Sequence, residues 1–206
     1  MSNSKCTIHP YVVRPRENDP DGQGIFGLGH SLAVALLASR QGLARAIMRD
    51  ELEALGIDPQ VAYLRALDRL TLAYVNRHLP WTMMAGPSGR PAMVFHHRYL
   101  AASCMLLPEL HDHAAFQLRE ERLRIAVPSR DRMIILRADD CDDPLRLAAF
   151  LRAVGRPGVP PDLTTNLFVL DPGGISELRT RPPCVSSTAI EIEIDEDDMG
   201  QSRTAA

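Results

Sequence analysis

The sequence predicts an α+β fold: an N-terminal helical half packed on a mostly antiparallel sheet built from hairpins in the C-terminal half. Three observations predict it. Leu123, Ile125 and Val127 alternate with Arg122, Arg124 and Ala126, the period of a half-buried strand. Asp58-Pro59 and Asp143-Pro144 each set an N-cap before a proline at the first helical position. Asp171-Pro172-Gly173-Gly174, between two apolar runs, is hairpin turn chemistry.

Residues 1–29 read as an irregular segment punctuated by Pro10, Pro15 and Pro20, with a short strand at Tyr11 to Val13. A single α+β domain follows over 30–183, helical over 30–80 and mixed over 91–183. His30 or Ser31 opens a helix on which Leu32 and Leu36 share a face, and Gly42 punctuates it. A turn-rich segment from Leu43 ends near Gly56. Asp58 then caps a helix whose Tyr63, Leu67, Leu70 and Tyr74 lie on one side, stopping by Pro80. Trp81 to Arg90, rich in Gly and Pro, reads as a loop.

Ala92 to His96 reads as a strand, and Leu100 to Leu118 as helix interrupted at Pro108. In the hairpin that follows, Pro128 presets φ for the second position of a tight turn. Met133 to Leu136 is a continuous apolar run, as in a strand covered on both faces. Asp143 caps a helix carrying Leu147, Leu151 and Val154, ended by Gly155. Asn166 to Leu170 and Ile175 to Arg179 form the closing hairpin. Over 184–206, Ile190, Ile192 and Ile194 alternate with acids within Thr188 to Asp195, giving an edge strand or a disordered tail.

Composition bounds the function classes. Hydrophobic residues make up 45% and charged residues 24%, as in an ordinary soluble globule. Cys6, Cys104, Cys141 and Cys184 form no Cys-x-x-Cys pair, which suggests a reducing compartment. No signal peptide is visible, and the run Leu32 to Ala38 is far too short to span a bilayer. The expectation is a cytoplasmic protein with no membrane partner. Lys5 is the only lysine among 23 basic residues. Glu191, Glu193, Asp195, Glu196, Asp197 and Asp198 supply six acids, so the net charge of −3 becomes +3 without them. Arginines dispersed over that mildly basic body disfavour a nucleic-acid partner.

Asp50-Glu-Leu-Glu-Ala-Leu-Gly-Ile-Asp-Pro59, running into Arg65-Ala-Leu-Asp-Arg-Leu70, resembles the helical half of YtpQ-like bacterial proteins. Ala102-Ser-Cys-Met-Leu-Leu107 is similar to that family's Ala-Ser-x-x-Leu-Leu stretch, and Val127-Pro-Ser-Arg-Asp131 to its hairpin turn. Leu163-Thr164, Leu167-Phe168 and Gly174 echo its closing strand pair. The likeness covers roughly Asp50 to Arg179; Arg69 stands where the family has Asn, and the first ~48 residues have no counterpart. What the resemblance implies is a fold and a cytoplasmic address; it supplies no activity.

Candidate chemistry is sparse. Gly22-x-Gly24-x-x-Gly27 matches the dinucleotide fingerprint formally, but Asp19-Pro20-Asp21 in front of it repels phosphate and breaks the strand that the motif needs. His96-His97 and His111-Asp112-His113 lack the i, i+3 or i, i+4 spacing of helical zinc ligands, so no metal is expected. Cys104, beside Met105-Leu106-Leu107, reads as a buried structural thiol. Asp139-Asp140-Cys141-Asp142-Asp143 lacks the alternation of a calcium loop, and Asp143 is explained as a cap. At the hairpin tip, Ser129, Arg130 and Asp131 form a polar surface on which Arg130 can grip a carboxylate or phosphate and Asp131 can orient it. Turn chemistry explains the same residues without a ligand.

Two functional readings follow, both without a cofactor. The first is a non-catalytic accessory or protein-binding module, regulatory or immunity-like, with another protein as partner. The alternative is a small-ligand-binding protein or hydrolase with a polar pocket near His96, His111, Arg130 and Asp131.

Overall fold

The computed structural model describes residues 7–14, 26–40, 43–47, 49–155 and 163–178. Thr188 to Asp195, expected as an edge strand or tail, lies outside the described residues, as do Gly22, Gly24 and Gly42. The chain is α+β, and all strand pairings among the described residues are antiparallel.

Four strands form an N-terminal sheet: β1 (Thr7–Val13), β2 (Phe26–Leu28), β3 (Leu32–Arg40) and β4 (Leu43–Ile47). The central strand β3 pairs with β1 along one edge and with β2 and then β4 along the other. The helix expected from His30 is therefore a strand, and the expected helical stretch 30–80 begins only at Arg49. Leu32 to Leu37 is apolar at every position, and such a run has no period that separates strand from helix. Both faces of β3 are buried. Leu36 packs with Ile47, Leu52, Ala62 and Ala66 on one side, and Ala33, Ala35 and Leu37 pack with Tyr11 and Val13 on the other. That two-sided burial overrides the helix preference of its alanines.

Two helices follow, α1 (Arg49–Ala54) and α2 (Pro59–Val75). Asp58 Oδ1 accepts from the Gln60 and Val61 amides at 2.7 and 3.1 Å, as the cap reading requires. The buried stripe of α2 is Ala62, Ala66 and Leu70, with Tyr63, Leu67 and Tyr74 at its margin.

The second sheet has six strands in the order β10-β9-β7-β8-β6-β5: β5 (Trp81–Ala85), β6 (Pro91–His96), β7 (Leu123–Ser129), β8 (Arg132–Arg137), β9 (Leu167–Asp171) and β10 (Gly174–Glu177). The segment expected as a loop over Trp81 to Arg90 is thus strand in its first half, to Ala85, and turn in its second. β5 is an edge strand whose Thr82, Met83, Met84 and Ala85 are exposed, so it lacks the buried alternation that marks a strand in sequence. Only the turn after it, with Gly89 at φ +83°, has the backbone that its glycines announce.

The long hairpin is β7–β8, but Pro128 is not at its turn. Ala126 pairs with Ile134 and Ser129 with Arg132, so β7 carries one extra residue in a bulge around Val127 and Pro128. The tight turn is Arg130-Asp131. A proline lacks a ladder donor and is tolerated at a bulge, and the Val127 and Pro128 carbonyls accept from the Thr164 and Leu163 amides, each at 3.4 Å.

One face of this sheet carries Met93, Phe95, Leu123, Ile125, Met133, Ile135 and Phe168. It is sealed by the 3₁₀ helix Ala102–Leu106, by α3 (Leu110–Leu118) and by Leu70 of α2. The opposite face carries Ala92, Val94, Ala126, Ile134, Leu136 and Leu167, packed by α4 (Pro144–Val154) through Leu147 and Val154. Asp143 Oδ1 caps α4, accepting from Leu145 and Arg146 at 3.0 and 3.1 Å. No helix among the described residues is long and apolar enough to cross a membrane.

Candidate functional site

Among the described residues the face covered by α4 is incompletely closed, and the space left is a groove of about 1360 Å³. Its floor is apolar: Leu147 and Leu151 of α4, Leu167 of β9 and Leu178 just after β10. Its walls come from separate segments. Arg124 reaches it because β7 alternates, sending Leu123 and Ile125 into the sealed core and Arg124 to the other side. The bulge and turn bring Pro128, Ser129, Arg130 and Asp131. The loop after β6 adds Arg98 and Tyr99, β1 adds Tyr11, and α4 adds Arg152.

The groove therefore gathers four arginines, Arg98, Arg124, Arg130 and Arg152, against Asp131 and Asp142. None of the four is in an ion pair among the described residues. Two are held by aromatic rings. The Arg130 guanidinium carbon lies 5.5 Å from the Tyr11 ring centroid, and that of Arg98 lies 5.0 Å from the Tyr99 centroid. At such distances the ring quadrupole attracts the cation while its N–H edges stay available as donors. Arg152 Nε donates to the Ala148 carbonyl at 3.2 Å and Arg124 Nη1 to the Leu123 carbonyl at 3.1 Å, leaving further donors on each planar fork.

Of the residues expected at a site, Ser129, Arg130 and Asp131 line the groove, and His96 and His111 do not. Ser129 Oγ donates to Asp131 Oδ1 at 2.6 Å, so the tip is at once turn chemistry and groove wall. His96 Nδ1 accepts from Arg132 Nη1, and its Nε2 lies 2.9 Å from Thr82 Oγ1 on β5. His97 Nδ1 accepts from the Tyr99 and Leu100 amides at 3.3 and 3.1 Å, and burial lowers its pKa. His111 is buried in α3, with Nε2 donating to the Glu121 carbonyl at 3.1 Å and Nδ1 3.1 Å from Asp112 Oδ1. His113 bonds Tyr74 through Nδ1 and meets the edge of Trp81, and burial lowers its pKa too. The side chains of these four histidines are each engaged locally and do not converge with those of Arg130 and Asp131; only the His97 backbone amide reaches the tip, donating to the Asp131 carbonyl at 3.3 Å.

The two thiols among the described residues are equally inert. Cys104 is buried in the sealed core, donates to the Leu100 carbonyl at 3.4 Å, and burial raises its pKa. Cys141 borders the groove, but burial pushes its thiol up to about 12, and its Sγ donates to the Arg137 carbonyl at 3.7 Å. A thiolate is the nucleophilic form, so neither cysteine is poised to attack. The aspartate cluster disperses into separate duties. Asp139 pairs with Arg90 at 2.6 Å, the buried Asp140 accepts from Ser88, and Asp143 caps α4. No group of three or more His, Cys, Asp or Glu among the described residues could hold a metal ion. Gly27 sits in β2 and leads to a strand rather than a helix, so no helix N-terminus meets a phosphate there.

Sequence reasoning missed Arg98, Arg124, Arg152, Tyr11 and Tyr99. Arg124 alone carried a usable signal, its polar phase on a strand whose other phase is core. The comparisons with protein-family models, with curated proteins and with solved structures found no match to this chain.

Proposed function

We propose that this protein is a non-catalytic binding module, acting in the cytoplasm, whose groove receives an acidic and partly apolar segment of a protein. The observation that carries this reading is the set of four arginines around a leucine floor. Guanidinium forks match carboxylates in bidentate geometry, and such charge-assisted bonds are roughly twice as strong as neutral ones. Arginines stacked on tyrosine lose less freedom when they bind, because they are already positioned. Small-molecule sites typically enclose roughly 300–1,000 Å³; the groove's volume of about 1360 Å³ suits an extended segment better. Asp131 and Asp142 in the same walls oppose a polyphosphate of high charge density. The likeness to YtpQ-like proteins over Asp50 to Arg179 belongs to the same proposal, as a shared scaffold.

Fluorescence anisotropy tests it directly. A labelled peptide of alternating leucine and glutamate is expected to bind the full chain and to weaken as salt rises, while its lysine counterpart does not bind. Equal binding of the two peptides, or tighter binding of a single-stranded oligonucleotide, would overturn the reading.

A further inference from the structure

The groove begins where the described chain ends. Leu178, the last described residue, is part of its floor. Twelve residues further on, at Ile190, starts Ile-Glu-Ile-Glu-Ile-Asp-Glu-Asp-Asp, the most acidic stretch of the sequence. We propose that this segment, Ile190 to Asp198, is the groove's own occupant, seating its carboxylates on the arginines and its isoleucines on the leucine floor. The inference rests on the reading of the groove as a receptor for acidic segments, and it names the segment.

Three properties of the chain support it. The charges are complementary: six acids on the segment face four arginines that have no ion pair among the described residues. The pattern is complementary too. In an extended chain successive side chains point to opposite sides, so Ile190, Ile192 and Ile194 present one apolar edge and Glu191, Glu193 and Asp195 one acidic edge. A groove with an arginine wall and a leucine floor accepts both edges at once. The connection is also long enough. Twelve residues span up to about 40 Å when extended, more than a segment tethered at the groove's own floor requires. Tethering matters energetically, because a linker of this kind holds the segment at an effective concentration of about millimolar. A modest intrinsic affinity then suffices to fill the site, and an external acidic partner must displace the segment to bind.

The test keeps the full chain and neutralises the segment: Glu191→Gln, Glu193→Gln, Asp195→Asn, Glu196→Gln, Asp197→Asn and Asp198→Asn together. The labelled leucine–glutamate peptide is expected to bind this variant at least about tenfold more tightly than the unaltered chain. Adding Arg124→Ala and Arg130→Ala to the neutralised chain is expected to abolish that gain. Neutralising six exposed acids elsewhere, Asp50, Glu53, Asp68, Glu109, Glu121 and Asp171, instead controls for overall charge and is expected to change the affinity less than about twofold. Equal affinity for the neutralised and unaltered chains overturns the inference while leaving the groove as a receptor. Failure of the peptide to bind either chain overturns both.

Discussion

The two faces of the six-stranded sheet are built from the same strands and differ in what covers them. On the sealed face, Phe95, Ile125, Met133, Ile135 and Phe168 are at most 1% exposed beneath α3, the 3₁₀ helix and the edge of α2. On the other face Val94, Ile134 and Leu136 are as deeply buried, but among the described residues their cover is α4, which ends at Val154, and Cys141 of the short 3₁₀ helix Ala138–Cys141. Neighbouring residues of one strand therefore meet opposite fates. Ile125 is core, and Arg124 is a groove wall. A binding surface arises here where a layer is incomplete, and the strand alternation that builds the core also aims an arginine into the gap.

Apolar packing joins the sealed face to its helices, with a Tyr74–His113 bond between α2 and α3, and further polar links tie the C-terminal segments to the N-terminal sheet. Glu177, next to the groove's Leu178, accepts from Asn166 Nδ2 at 2.6 Å and from the His30 and Ser31 amides of the turn before β3. Arg14 Nε donates to the Leu163 carbonyl at 2.8 Å, tying the end of β1 to the segment that lines the groove.

The largest expected effect is on the sealed face. Phe95→Ala should cost about 3–5 kcal/mol in urea unfolding, from lost transfer free energy and a cavity with no room to relax. Leu147→Ala, at 9% exposure beside the groove, should cost about half as much, because water can enter the space it leaves. Equal costs would erase the distinction between the faces.

Next comes the turn that Glu177 clasps. Gly29 has φ +72°, and a Cβ there would run into the Glu177 carboxylate, so Gly29→Ala should destabilise by about 2 kcal/mol. Partial burial pushes the Glu177 carboxyl up, but donors from Ser31, Asn166 and the His30 backbone outweigh it and hold the pKa at about 2. A carboxyl depressed in the folded state lends stability that is fully present above its unfolded pKa of ~4.3 and lost as pH falls towards the folded value. Hydrogen exchange followed from pH ~5 down to pH ~2 should therefore show Asn166 and the groove wall loosening before the sealed strands. Glu177→Gln should flatten that part of the acid profile.

Smaller changes follow from the caps and the surface. Asp143→Ala should cost about 1 kcal/mol and loosen α4 over the groove, where Asp58→Ala should cost the same and leave the groove intact. Arg49→Ala breaks only the exposed 3.3 Å pair with Glu53, and a change of no more than about 0.5 kcal/mol is expected.

Much of the scaffold was legible because its signals are local. The caps at Asp58 and Asp143, the turn at Pro172-Gly173 and the doubly buried run Met133 to Leu136 each declare themselves within a few residues. β3 was misread because burial on both faces removes periodicity, and β5 because an exposed edge strand has none. The groove was illegible for another reason. Tyr11, Arg98, Arg124, Arg130 and Arg152 come from five separate segments, and only the closure of two sheets brings them together. The Ser129-Arg130-Asp131 tip was visible in sequence, but the histidines grouped with it are held elsewhere by Thr82, Arg132 and Glu121.

The most direct measurement maps the site. Saturating an isotope-labelled chain with the leucine–glutamate peptide should move the amide resonances of Arg124, Arg130, Arg152, Thr165 and Asn166, the residues of the groove. The rival surface is the exposed apolar stripe Val61, Leu64, Leu72 and Val75 on α2. Shifts confined to that stripe, with the groove amides unmoved, would contradict the account.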